Sequence, residues 1–346
     1  MNTSRIVCVV VAVAVAMLIV AAPAAAAERS AALLPDPHEM ARVEAAVDQS
    51  LEYLLSQQHP DGSWPSGKGV NNGVNALCLL AFLGRGHVPA RGPYQPVVDR
   101  AIAFIVNTQE ESGLYRTPNH WNGVMYEHGL CTLAMIEAYG FMLDDQMRRS
   151  AQSAVDLIVK VQSPLGGWRY QPVPAQADLS VTVMQVVALR AAQNARLEVP
   201  KKTLDAALKY VRACAKDNGF AYQPGGNPSV PQSAAGALSM QLLGAFDDPS
   251  VTKALDYLKN WNYTHESGHF WYMNYYAMQA NFQAGGAHWD HWHRRVRAFL
   301  LSHQRPNGAW PAFKDGQYAG PTECYSTALG AMTLEVYMHY LPAYQR

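Results

Sequence analysis

Gln58-His59-Pro60-Asp61-Gly62-Ser63-Trp64 is the stretch that decides the fold, because its pattern Gln-x-x-x-Gly-x-aromatic returns along the chain. The further copies are Gln109…Gly113-Leu114-Tyr115, Gln162…Gly166-Gly167-Trp168 and Gln304…Gly308-Ala309-Trp310. Two weaker copies fill the interval: Gly219 followed by Phe220 and Tyr222 without the glutamine, and Gly268-His269-Phe270 with Thr264 at the glutamine position. The glycines 62, 113, 166, 219, 268 and 308 are separated by 51, 53, 53, 49 and 40 residues. A period of that size is the signature of a repeat architecture.

Each period holds two segments with helical apolar spacing. Val43, Ala46, Val47, Leu51, Leu54 and Leu55 precede the first heptad with polar residues between them, as in a helix with one buried stripe. After the heptad, Ala76-Leu77-Cys78-Leu79-Leu80-Ala81-Phe82-Leu83 is apolar nearly all round and demands enclosure. The alternation predicts outer helices over 41–57, 94–108, 145–161, 201–215, 249–261 and 288–303, and inner helices over 72–83, 127–139, 179–193, 232–244, 271–283 and 323–340. Gly140, Pro200, Gly244, Pro249 and Gly285-Gly286 punctuate the joins. An open array needs polar caps at its ends. Neither end has one, so the prediction is an all-α, closed (α/α)6 toroid of six helical hairpins. Within the heptad, Gly permits the tight turn, the aromatic ring fills space between hairpins, and Gln is expected to bond the carbonyls left unpaired at the outer helix's end.

Hydrophobic residues make up 49% of the 346-residue chain and charged residues 16%, which supplies one sizeable core and argues against disorder. Lys+Arg and Asp+Glu both number 27, so no basic excess attracts nucleic acid. Arg5, the apolar run Ile6–Ala22, Pro23 and Ala24–Ala27 read as a secretory signal cleaved after Ala27, an uncleaved anchor being the alternative. Export and a domain over 28–346 follow, with a monomer expected. Cys78, Cys131, Cys214 and Cys324 lie far apart without a C-x-x-C pair and read as buried thiols.

The repeats resemble the Gln-Trp motifs of the squalene-hopene cyclase and protein prenyltransferase superfamily over essentially the whole mature chain. The resemblance implies a toroid with an apolar, possibly isoprenoid, small-molecule ligand in its central cavity. Class II terpene cyclases carry Asp-x-Asp-Asp-Thr, whose middle acid protonates the substrate. The similar segment here is Asp178-Leu179-Ser180-Val181-Thr182. A serine hydroxyl is far too weak an acid for that step. Prenyltransferases hold zinc through an Asp-x-Cys pair and a distant histidine. Thr322-Glu323-Cys324-Tyr325 lacks the aspartate, so neither a metal nor another cofactor is expected.

In a closed toroid the inner-helix N-termini share one rim, where free amides and helix dipoles favour anions. Glu127, His128 and Asp178 are the candidate catalytic set there, an imidazole beside two carboxyls. Asn75, Tyr126, Ser180, Gln232, Trp271, Tyr272, Tyr275 and Tyr325 are candidate ligand-binding residues. A second reading is a carbohydrate-active enzyme, since (α/α)6 toroids also host glycan lyases and hydrolases. Only Arg116 and Arg169 sit near the rim to neutralise a uronate, which weakens the lyase. A third is a protein-binding scaffold. His288-Trp289-Asp290-His291-Trp292-His293 does not converge on a metal by helical spacing, and Asn262-Tyr263-Thr264 fits a glycosylation sequon.

Overall fold

The structure is a computed structural model and describes residues 35–67, 69–117, 123–266, 268–315 and 323–338. The apolar run 6–22 and the cleavage site at Ala27 lie outside them. Among the described residues no helix is long and apolar enough to cross a membrane.

Outer helices α1 (Pro37–Gln57), α3 (Gln95–Asn107), α5 (Asp145–Lys160), α7 (Lys201–Ala213), α9 (Pro249–Asn260) and α11 (Gly286–His303) alternate with inner helices. The inner set is α2 (Asn72–Gly84), α4 (Val124–Met142), α6 (Leu179–Asn194), α8 (Val230–Leu242), α10 (Phe270–Ala284) and α12 (Glu323–Glu335). Burial follows the two sequence patterns. In α5 one face is buried, Met147, Ala151, Ala154, Val155, Leu157 and Ile158, whereas every residue of α2 is buried. Each inner helix packs on the next in chain order, and α12 packs on α2, which closes the ring. Each outer helix packs on the inner helix that precedes it, and α1 packs on α12. Most boundaries shift by one to four residues from expectation, the first outer helix starting at Pro37 rather than 41, and two of the inner helices differ most. The second inner helix begins at Val124 because the Met125 amide finds an acceptor in the Tyr170 carbonyl at 3.0 Å. The last one ends at Glu335 in a turn over 336–338.

The heptad works differently from the sequence reading. Trp64, Trp168 and Trp310 each donate Nε1–H to a last-turn carbonyl of the outer helix before them, Leu54, Ile158 and Leu300, at 2.8, 2.7 and 2.8 Å. The tryptophan, not the glutamine, therefore relieves the helix end. The glutamine bridges hairpins. Gln58, Gln109, Gln162 and Gln304 each donate through Nε2 to the carbonyl of their own heptad glycine. Each also reaches a carbonyl of the next outer helix, respectively Val97, Ser150, Thr203 and Ala46. For Gln304 that partner lies in α1, so the last copy of the motif bonds the first helix of the ring.

Gly62, Gly113, Gly166 and Gly308 have φ of +94°, +89°, +99° and +87°. A Cβ there would fall within 3.0 Å of the carbonyl oxygen of Arg100, Ser153, Ala206 or Gln49 on the next outer helix. Conformation and close approach both demand glycine. Gly308→Ala is expected to destabilise the protein by more than the ~1 kcal/mol of conformational strain alone, because Gln49 belongs to the closing helix. Urea unfolding compared with Gly92→Ala, where φ is also positive but nothing lies within 4 Å, separates the two causes; equal losses would remove the packing argument.

The weak copies are structurally weak. After α7 the chain makes a short antiparallel ladder, β1 (Ala215–Lys216) against β2 (Gly219–Phe220), which no pattern predicted. A Cβ on Gly268 would meet nothing within 4 Å, so it is not an equivalent of the contact glycines.

Candidate functional site

Five inner helices use one early polar residue to accept the backbone N–H of their own hairpin's aromatic. Asn75 Oδ1 accepts from Trp64 at 2.8 Å, His128 Nδ1 from Tyr115 at 3.2 Å and Thr182 Oγ1 from Trp168 at 3.0 Å. Ser233 Oγ accepts from Phe220 and Thr327 Oγ1 from Trp310, both at 3.0 Å. His128 is thus the histidine version of a repeated strut. Its Nδ1 is an acceptor, so the proton sits on Nε2, 3.2 Å from the Ala154 carbonyl. Burial lowers its pKa to about 4, the Ala154 bond opposing only weakly. The ring is neutral with both nitrogens engaged, which removes it from the catalytic set. Asn75 leaves the ligand-binding set for the same reason, its Nδ2 being bonded to Asn72. The His128 ring protons are expected to show no titration in NMR between pH 8 and 5.5, and an inflection near 6.5 would restore the acid–base role.

Glu127 is also committed. Oε2 accepts from the Thr117 amide at 3.0 Å and hydroxyl at 2.9 Å, and Oε1 from Asn71 Nδ2 at 3.0 Å. Burial pushes its pKa up and the Thr117 bonds pull against that. Oε1 ties the second hairpin to Asn71, the N-cap of α2, while Oε2 braces Thr117 in the segment that leads into α4.

Asp178 remains at the centre of a polar cluster. It caps α6 through Oδ1, which accepts from Val181 N–H at 2.9 Å and from Ser180 Oγ at 2.8 Å. Ser180 Oγ in turn lies 2.7 Å from the Tyr126 hydroxyl. Since Ser180 spends its proton on Asp178, Tyr126 donates and Ser180 accepts. Oδ2 is buried with no hydrogen-bond partner, and Arg169 Nε stands 3.9 Å from the carboxylate. Burial raises the Asp178 pKa, while the Val181 amide, the hydroxyls of Ser180 and Tyr222, and Arg169 favour the charge.

Across the rim stand Tyr272 and Tyr325. They and Tyr126 are each the third residue of their inner helix and half-buried between buried neighbours. The Tyr272 hydroxyl is buried without a partner. Burial raises its pKa, with smaller contributions from Tyr276, Tyr126, Asp178 and Tyr325. The same holds for Tyr325, raised by burial and then by Asp315 and Tyr126. Tyr275 is buried against Tyr276 at 5.0 Å between ring centroids. Gln232 is half-buried, and its Oε1 lacks a partner. Trp271 belongs elsewhere: its ring stacks on Phe313 and donates to the Pro311 carbonyl at 3.1 Å, which makes it packing rather than lining.

Three groups were missed from sequence. Tyr170 and Tyr222, each two residues beyond its heptad aromatic, join hydroxyls at 2.5 Å, a spacing the repeat register could have revealed. Asp315 caps α10, whose own N-cap His269 supplies no side-chain bond. It accepts from Phe270 N–H at 2.5 Å and Trp271 N–H at 2.7 Å, and burial raises its pKa to about 6 against those bonds. No periodic signal marks it. Among the described residues no group of three His, Cys, Asp or Glu could hold a metal ion. In the histidine-rich run, His288 pairs with Asp256, and His293 stacks on Trp289 and bonds the Tyr337 hydroxyl. Cys78, Cys131, Cys214 and Cys324 are buried and form no disulfide.

A closed ring of six inner helices with an aromatic, hydroxyl-bearing rim defines an α/α toroid of the terpene-cyclase type. The sequence profile of the prenyltransferase alpha-alpha toroid domain matches residues 29–270, and the chain belongs to that family. Drimenyl diphosphate synthase from Streptomyces showdoensis is 28% identical over 195 residues, 55% of this chain. The match covers 34% of that relative's length, so this chain spans about a third of it. The type II terpene cyclase MstE from Scytonema, solved with merosterolic acid A, superposes with a TM-score of 0.61 at 13% identity, covering 88% of this chain and 99% of that one. The alpha-1,6-mannanase of a Salegentibacter species gives the same TM-score at 12% identity, covering 86% and 99%. At such identities these two likenesses establish the fold alone.

Proposed function

We propose that the mature chain is exported and binds an apolar, isoprenoid-like molecule inside the ring, without the Asp-x-Asp-Asp proton donor of class II cyclases. The observation that carries this reading is that Tyr126, Tyr272 and Tyr325 each stand third in an apolar inner helix and so belong to one rim of the ring. Aromatic faces suit an apolar or transiently cationic guest. At the position of the cyclase acid, Ser180 is held between Tyr126 and Asp178 and has no proton to give to an alkene. The relative and the solved neighbour whose names include a terpenoid product support the ligand class. Glycoside hydrolysis requires two carboxyls free to act. Glu127, Asp178 and Asp315 instead spend oxygens on helix ends and struts.

Native mass spectrometry of the protein secreted by its own host tests the proposal. The expected spectrum shows a retained adduct of isoprenoid mass on a chain beginning at Glu28. A hexose-spaced adduct would replace the reading with the carbohydrate one. Bare protein whose melting temperature is unmoved by added C15 and C20 isoprenoids would overturn it.

A further inference from the structure

Away from the rim, the outer wall of the ring is stapled unevenly. Gln58, Gln109, Gln162 and Gln304 tie α1, α3, α5 and α11 to the outer helix that follows. At the end of α9, Thr264 stands where the glutamine would, and Phe270 in the aromatic's place carries no side-chain donor. The bonds come instead from the following helix. Arg295 of α11 donates through Nη1 to the Trp261 carbonyl at 3.3 Å and through Nη2 to the Leu258 carbonyl at 3.5 Å. Its guanidinium carbon lies 4.9 Å from the ring centroid of Tyr263 and 5.0 Å from that of Trp292.

This arrangement leaves charge and donors over. Arg85, Arg116, Arg212, Arg297 and Arg305 each pair with a carboxylate. Among the described residues Arg295, half-buried, pairs with none. Its Nε is buried without a hydrogen-bond partner, and so is the indole Nε1 of Trp292, a residue only 1% exposed. Three positions apart on α11, the two side chains share a face. The carbonyl end of α9 offsets part of the guanidinium's charge, yet gives neither of these N–H groups an acceptor. Lys259 and His291 are exposed beside them, and the His291 pKa, lowered first by burial, is lowered further by Arg295 and Lys259. The acids close by are engaged with other histidines: Asp256 bonds His288 at 2.8 Å, and Asp290 lies 3.9 Å from His293.

We infer that this junction of α9 and α11 is a binding site for a small inorganic monoanion such as chloride, held by Arg295 Nε–H and Trp292 Nε1–H, with Lys259 and His291 on its solvent side. An anion there supplies the acceptor that both buried donors lack and a counter-charge to the guanidinium. Because the donors are buried, the guest is small, and it enters where the exposed Lys259 and His291 side chains move aside. Bound, it strengthens a seam between the fifth and sixth hairpins that no glutamine staples.

Thermal unfolding at fixed ionic strength, with chloride exchanged for the bulky anion gluconate, tests this. Screening is then the same in both salts, so a shift of the midpoint reports binding. With about 0.3 M chloride the folded-to-unfolded ratio is expected to rise about tenfold over gluconate, the linkage given by a site of Kd about 30 mM. Trp292→Phe keeps a ring against Tyr263 and Arg295 and removes the N–H, so the fold should persist while the chloride effect falls to about threefold. In NMR titration the His291 pKa should be higher in chloride than in gluconate, because the anion offsets the two cations that lower it. The same midpoint in both salts would overturn the inference. So would a chloride effect that Trp292→Phe leaves whole, or a His291 pKa that does not change between the salts.

Discussion

Trp310→Ala is expected to cost about 3–5 kcal/mol of folding free energy, the usual range for emptying a large aromatic from a core. The ring is fully buried and packs so closely on Gly330 that a Cβ there would lie within 3.0 Å of it. Its truncation also removes one of two donors to a last-turn carbonyl, that of Leu300, which accepts Trp310 Nε1–H at 2.8 Å and the Gln304 amide at 3.1 Å. Position adds to packing. The hairpin that holds Trp310 joins the first one through Gln304 to Ala46, Gly308 against Gln49, the ion pair Arg297–Glu39 and the Tyr53 hydroxyl on Glu323. Guanidinium unfolding followed by circular dichroism, with Leu143→Ala at a well-exposed site as control, gives the number. A loss below about 1 kcal/mol would mean that the heptad aromatic is ornamental, contrary to the core range used here.

Glu335→Met is expected to stabilise the protein by about 1–3 kcal/mol at neutral pH, the range for removing an unsatisfied buried polar group. Glu335 is buried in the last turn of α12 with neither carboxylate oxygen hydrogen-bonded. Burial raises its pKa well above the ordinary value, Arg85 opposing the rise and Asp48 adding to it. In the unfolded chain the group ionises near its ordinary value of 4.5. Between that pH and the raised native pKa the native state holds the proton longer, so stability falls as pH rises. Asp315, raised to about 6, adds a fall of the same sign between its ordinary 3.8 and 6. Urea unfolding from pH 5 to 8 should show wild-type stability declining and the decline flattening in Glu335→Met. Arg85 keeps its bond to Asp48 at 2.7 Å, so the variant leaves no stranded cation. Equal slopes in the two proteins, or a destabilised variant, would show that Glu335 has a partner in solution.

The helical hairpins, their number and their closure were legible because they rest on periodic terms. A 3.6-residue stripe and a repeating Gln-x-x-x-Gly-x-aromatic unit are each written several times in one chain, so local errors cancel even though Gly268 is no equivalent of the contact glycines. Asp178 and Tyr126 could be placed on one rim for the same reason.

What the residues at that rim do was another matter. His128 reads as an acid–base group by composition, yet in space it is one of five struts. The separations between struts and aromatics vary from copy to copy, for example Trp64 to Asn75 and Trp310 to Thr327, so no sequence period ties them together. Glu127 is spent on Thr117 and Asn71, and Asp315 caps α10 from the following hairpin, a contact between residues more than forty positions apart. Periodicity specifies which face of a helix is buried, since burial depends on chain-local spacing. Whether a buried polar atom there is satisfied or left open to a ligand depends on groups arriving from neighbouring hairpins, and that is settled only when the ring is closed.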